Sequence, residues 1–168
     1  MKKYLSVFIC LCLSISCFSQ INWVSFEKAM ELSKIDGKPV LVDVYTDWCG
    51  WCKRLDATTY QDSAVVSYIN SHYHATKFNA ETNDKIMYRD TVYEKKGKTH
   101  DLAIKLLYGK MSYPTTLFMI EDMDLVAPIP GYLTRETIQP YLFYFGEQAY
   151  KLNNTWEIFL KGFTAPKF

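Results

Sequence analysis

Two thiols separated by two residues, Cys49-Gly50-Trp51-Cys52, are the group in this sequence best suited to chemistry. At that spacing two sulfurs can close a short disulfide and open it again, so the pair can exchange two electrons with another cystine. Val40-Leu41-Val42-Asp43-Val44-Tyr45, just upstream, is an apolar run that reads as a buried strand broken only by Asp43. Thr46-Asp47-Trp48 then delivers the cysteines to the start of an expected helix reaching about Thr58. A helix N-terminus carries partial positive charge and unpaired N–H groups, so Cys49 is expected to be more acidic than a free thiol at about 8.5. Cys49 is therefore the expected nucleophile, and Cys52 the thiol that resolves its mixed disulfide.

Other uses of the pair fit less well. Zinc normally takes four ligands, and no second C-x-x-C or clustered histidine completes a set. His72, His74 and His100 are scattered and read as surface or strand residues, so no metal is expected. Lys53 after the second cysteine excludes a haem-attachment motif. A purely structural disulfide stays open as an alternative. Asp43 is the one acid inside the apolar strand. A buried carboxylate has a raised pKa and can accept or relay the Cys52 proton through water, whereas on an exposed strand face it would be an ordinary solvated acid.

These groups must be held by one domain. The chain has 168 residues, 49% of them hydrophobic, with 13 Tyr and 10 Phe, a composition that excludes disorder. A formal charge of +1 gives no reason to expect nucleic acid or an anionic membrane as partner. Lys2-Lys3 followed by the apolar stretch Leu5 to Cys17 reads as a signal peptide, residues 1–19, with cleavage before Gln20. Removing it leaves 17 of the 19 basic residues against 18 acidic ones, a net of −1. An uncleaved anchor, or a lipoprotein acylated at Cys17, are the weaker readings. Cys10, Cys12 and Cys17 all fall in that segment, so the exported chain, residues 20–168, keeps Cys49 and Cys52 alone. One C-x-x-C pair in an exported protein is not a disulfide scaffold.

In order, Trp23 to Lys34 is expected as a helix capped by Ser25, and Asp36-Gly37-Lys38-Pro39 as a turn. Asp62 is expected to cap a helix over Ser63–Asn70, and His74 to Asn79 alternates like a half-buried strand. Glu81 to Thr99 reads as a surface insertion, with a hairpin turning at Lys96-Gly97. Asp101 is expected to cap a helix through Tyr108, stopped by Gly109. Thr116–Ile120 and Leu125–Ile129 read as strands around a turn at 121–124, the second an edge because of Pro128 and Pro130. Thr134 is expected to cap a helix through Phe145, and Trp156, Ile158, Phe159 and Leu160 to pack back as a helical extension.

Taken together, these segments resemble the thioredoxin superfamily over roughly Gly37 to Phe145, with a core of about 37–146. Val42-Asp43-Val44-Tyr45-Thr46-Asp47-Trp48-Cys49-Gly50-Trp51-Cys52-Lys53 resembles its active-site strand and helix start. Thr76-Lys77-Phe78-Asn79-Ala80-Glu81 resembles the next central strand, and Tyr108 to Thr115 the segment with its cis-proline. Gly131 stands where the family has a glycine before its last helix. Within the superfamily the chain is most similar to exported thioredoxin-like proteins resembling the C-terminal periplasmic domain of the thiol:disulfide interchange protein. It departs in having Gly50-Trp51 in place of Gly-Pro, and in the length of the 81–99 insertion.

The resemblance implies an α/β thioredoxin fold, a central mixed sheet flanked by helices, and a protein disulfide oxidoreductase of the periplasm, more a reductase than an oxidase. It implies Cys49 and Cys52 as the redox pair with no other cofactor, Asp43 as the buried acid, and Lys77 as a residue that tunes it. Tyr113–Pro114 would be cis and would border bound substrate together with Trp48, Gly50 and Trp51; a trans proline opening a strand is the alternative. In the family the tryptophan at the Trp48 position packs under the active-site loop. Loss of proline at Trp51 frees an N–H beside the thiolate. Expected partners are protein disulfides and a membrane thiol-transfer electron donor, with the protein itself a monomer. The rival expectation is a non-catalytic thioredoxin-fold module that binds a peptide or copper.

Overall fold

The computed structural model describes residues 20–120, 125–152 and 155–165. The signal-peptide segment and the 121–124 turn lie outside the described residues. Seven strands and six α-helices occur along the described chain: β1 (Trp23–Val24), α1 (Phe26–Asp36), β2 (Val40–Tyr45), α2 (Gly50–Ala57), α3 (Ser63–His72), β3 (His74–Asn79), β4 (Ile86–Tyr88), β5 (Thr91–Tyr93), α4 (Asp101–Leu106), β6 (Thr115–Ile120), β7 (Leu125–Pro130), α5 (Arg135–Gly146) and α6 (Trp156–Gly162). Five strands form the main sheet in the order β1-β3-β2-β6-β7. β1, β3 and β2 run parallel, and β6 and β7 are antiparallel to their neighbours. β7 is one of the two edges, which suits its two prolines.

β2 lies in the middle, so both its faces are covered and its near-continuous apolar run follows. Successive side chains alternate between faces. Leu41 joins Leu55 of α2, Val65, Val66 and Ile69 of α3, Phe118 of β6, and Ile138, Leu142 and Phe145 of α5 on one side. Val40, Val42 and Val44 meet Phe26, Ala29 and Met30 of α1 and Leu102, Ala103 and Leu106 of α4 on the other. Asp43 shares the face of Leu41, the face that α2 covers.

Helix starts are set by side-chain caps. Ser25 accepts from Lys28 N, Asp62 from Ala64 N and Val65 N, and Thr134 from Thr137 N. Four expectations need correction. Trp23 and Val24 are not helical: Ser25 is extended, so the helix starts after it, and the two residues instead pair with Ala75 and Thr76 at the sheet edge. The hairpin of the insertion turns at Arg89-Asp90, both at positive φ (50° and 58°), while Lys96-Gly97 falls in a separate loop closed by the Lys95–His100 bridge. His100, not Asp101, caps α4. Its Nδ1 accepts from Leu102 N at 3.2 Å, and its Nε2 donates to the Asp84 carbonyl at 3.0 Å, so this histidine is fully buried rather than on the surface. The helix stops at Leu106, and Tyr108 and Gly109 follow at positive φ.

The C-terminal extension is helical and docks by aromatic contact. Trp156 stacks on Tyr141 at 4.5 Å, and Phe159 meets Tyr144 at 5.2 Å. Only that face packs, because Ile158 and Leu160 stay exposed.

Candidate active site

Cys49 is the N-cap of α2, in extended conformation, and Cys52 lies within the helix's first turn. The two form a disulfide with Cα atoms 5.3 Å apart. The Cys49 N–H donates to the Thr46 carbonyl at 3.1 Å, and the Cys49 sulfur accepts from Cys52 N at 3.1 Å. A charged sulfur here would face the free N–H groups and positive end of the helix. Both cysteines are buried, at 5% and 3% exposure, so a partner must come to the rim of the site. Gly50 provides the open side, with nothing within 4 Å of where a Cβ would stand.

Asp43 is 1% exposed. Burial pushes its carboxyl up to about 6, against the opposing pull of Lys77. Asp43 pairs in register with Lys77 on β3 and Thr116 on β6. Lys77 Nζ is 3.1 Å from Asp43 Oδ2, but its aligned hydrogen bond goes to Asp56 Oδ1 on α2. Neither Asp43 oxygen has a well-aligned hydrogen-bond partner among the described residues, so no direct bond reaches a sulfur. The lysine stem passes the rings of Trp23 and Tyr45, with Nζ 5.3 and 5.2 Å from their centroids. Desolvation lowers the Lys77 pKa, yet Asp43 and Asp56 hold it above its ordinary value, so it is a cation at neutral pH. Tyr60, also buried, reaches Thr116 Oγ1 at 3.4 Å, and burial raises its phenol well above the ordinary range.

The Tyr113–Pro114 bond is cis. Pro114 is buried, its carbonyl accepts from Gly131 N at 2.8 Å, and Tyr113 is half-buried. Trp48 does not pack beneath the loop: it is 66% exposed, with its ring nearly perpendicular to that of Tyr113 at 6.0 Å and Nε1 donating to Glu81 Oε1 at 3.1 Å. Trp51, 59% exposed, leans on Tyr132 at 5.5 Å, with the Arg54 guanidinium 5.8 Å from both rings. The site residues therefore fall into three groups: the disulfide with Gly50, the buried Asp43–Lys77 pair, and two exposed aromatic pairs. Asp56 and Tyr132 join the site without having stood out in the sequence, and Tyr60 and Glu81 join it although neither reads there as a site residue. Asp56 had one signal, since it lies four residues after Cys52 on α2 and shares its side of the helix. Among the described residues no group of three or more His, Cys, Asp or Glu is placed to hold a metal ion.

The thioredoxin-like domain family matches residues 26–146. The chain belongs to that family. An uncharacterised protein of Haemophilus influenzae is 26% identical to it over 159 residues, covering 84% of this chain and 98% of the other. A protein disulfide-isomerase of Schizosaccharomyces pombe is 34% identical over 103 residues, 61% of this chain and 23% of the isomerase. The thiol:disulfide interchange protein DsbD of Pseudoalteromonas atlantica is 36% identical over 50 residues, 30% of this chain and 8% of DsbD. The match spans less than a quarter of the length of the latter two proteins.

Proposed function

We propose that this protein, a thiol–disulfide oxidoreductase, works outside the cytosol and reduces disulfides of other proteins. In the dithiol form the Cys49 thiolate attacks a partner's cystine. A bond forms between Cys49 Sγ and one partner sulfur, the partner's S–S bond breaks, and the departing thiolate takes a proton. Cys52 then gives up its proton, through water to Asp43, and attacks Cys49 Sγ. The Cys49–Cys52 disulfide forms, the second partner sulfur leaves and is protonated, and two electrons have passed to the partner. Asp43 suits the proton step because its carboxyl, at about 6, changes charge close to neutral pH. A dithiol of a membrane thiol-transfer protein resets the pair by the same exchange in reverse.

The observation that carries this reading is the cysteine pair, the only cysteines among the described residues, bonded at the first turn of α2 on the face of β2 that holds the buried Asp43. The redox group is the pair itself, without added cofactor, and the protein acts as a monomer. Support for export into the periplasm comes from the basic and apolar start of the chain. Among the described residues no helix is long and apolar enough to cross a membrane. A dithiothreitol-coupled insulin turbidity assay tests the activity. Wild type should accelerate precipitation and Cys49→Ser should not. Wild type as inert as the mutant, while binding copper tightly, would replace this reading with a binding module.

A further inference from the structure

The two exposed tryptophans that flank the disulfide are chemically unequal. Beside Trp51 and Tyr132 the protein supplies its own cation, Arg54, at 5.8 Å from both rings. Beside Trp48 it supplies the Glu81 carboxylate, with the Lys95 ammonium bound to the Glu81 main chain and not to its side chain. Trp48 gives its N–H to Glu81 and remains 66% exposed, so a ring system that attracts cations is open to solvent. The arrangement is braced. Glu81 N donates to Asn79 Oδ1 at 2.9 Å, and Asn79 Nδ2 donates to Asp47 Oδ1 at 3.2 Å. The Ala80 N–H bonds the Tyr45 carbonyl at 2.8 Å, and Lys95 Nζ is directed at the Glu81 main-chain carbonyl, also at 2.8 Å. At its other end the insertion places Thr99 against the Tyr113 hydroxyl, and His100 pins it through the Asp84 carbonyl. The 81–99 insertion thus builds one wall of the site from Trp48, Tyr113 and Glu81, with Asp47 alongside.

Resting on the oxidoreductase reading above, we propose that this wall recognises a basic side chain, so that the protein prefers disulfide partners with Lys or Arg next to the cystine. A cation there meets a ring face and fixed carboxylates. An acidic neighbour meets like charge, and a cation placed on the opposite side meets Arg54. The occupant is an extended polypeptide segment, since both cysteines are buried and only a chain laid across the rim brings a sulfur to them.

The test uses three peptides of equal length, each with one cystine flanked by Lys, Gln or Glu, and compares kcat/KM for their reduction. The expected order is Lys over Gln over Glu. Lys should exceed Glu about tenfold at low salt, a ratio that falls at about 1 M salt. Glu81→Gln keeps an oxygen for Trp48 Nε1 but removes the charge, and should narrow the ratio to about threefold. Trp48→Leu, as an independent variant, should narrow it too. Equal rates for the three peptides, a preference for Glu, or a ratio untouched by both variants would overturn the recognition site while leaving the oxidoreductase reading intact. If none of the peptides is reduced, the oxidoreductase reading itself fails.

Discussion

Replacing Asp43 by asparagine tests the electrostatics of the site most directly, because the expected change is in the shape of a pH profile. The carboxyl is raised from its ordinary 3.8 to about 6. Below about pH 3 it is neutral in both the folded and unfolded chain, and its ionisation costs the fold nothing. As pH rises toward 6 the unfolded chain loses this proton while the folded one holds it, so stability declines. Above about pH 6 the folded group is charged as well, and the loss levels off at about 3 kcal/mol, from roughly 1.4 kcal/mol for each tenfold change in proton affinity. The asparagine that replaces it cannot ionise. Its amide brings a fixed cost of about 1–3 kcal/mol if incompletely hydrogen-bonded, the same at every pH. Lys77 keeps Asp56 as partner in the variant. The stability of Asp43→Asn minus that of wild type should therefore grow by about 3 kcal/mol between about pH 3 and pH 8, whatever its starting value. Urea titrations of both oxidised proteins across that range measure it. The remaining titrating groups are common to the two proteins and cancel. Parallel profiles would refute the argument, since they would mean that Asp43 has the same proton affinity folded and unfolded.

Two further outcomes follow from the same contacts. Asp43→Ala should slow release of the mixed disulfide by about 100-fold near pH 7, the usual weight of a positioned base; stopped-flow kinetics identical to wild type from pH 6 to 9 would remove Asp43 from the proton step. His100→Ala should cost about 3 kcal/mol, combining a lost helix cap with a buried cavity. It should also speed hydrogen exchange at the Leu102 amide, and an unchanged urea midpoint would show that the imidazole is dispensable.

What is legible in the sequence is local. β2 and the start of α2 are contiguous, and their apolar run and cysteine spacing speak for themselves. The caps at Ser25, Asp62 and Thr134 are legible for the same reason, since each satisfies N–H groups two or three residues ahead. In the insertion a local rule points to the wrong residue. Gly97 draws the turn on sequence grounds, yet the chain turns through Arg89 and Asp90, which accept left-handed backbone without glycine. His100 escapes notice because an imidazole is outside the usual capping set, although its ring acceptor serves in the same way. The other hidden contacts join distant positions: Trp48 with Glu81 across 33 residues, and Thr58 with Tyr132 across 74. No spacing rule reaches that far.

Asp43 shows how such distant contacts set the charge of a buried group. The sequence places an acid in a buried strand and a lysine on its neighbour, and a simple ion pair between them would depress the acid's pKa. The structure adds Asp56, 21 residues before Lys77, and gives it the lysine's aligned hydrogen bond. Lys77 is thereby shared between a buried carboxylate and a half-buried one, and the negative charge of Asp56 itself opposes ionisation of Asp43. Desolvation then outweighs the attraction that remains. The outcome is an acid that changes charge near neutral pH even with Lys77 3.1 Å away, and that balance suits the proton step proposed for it.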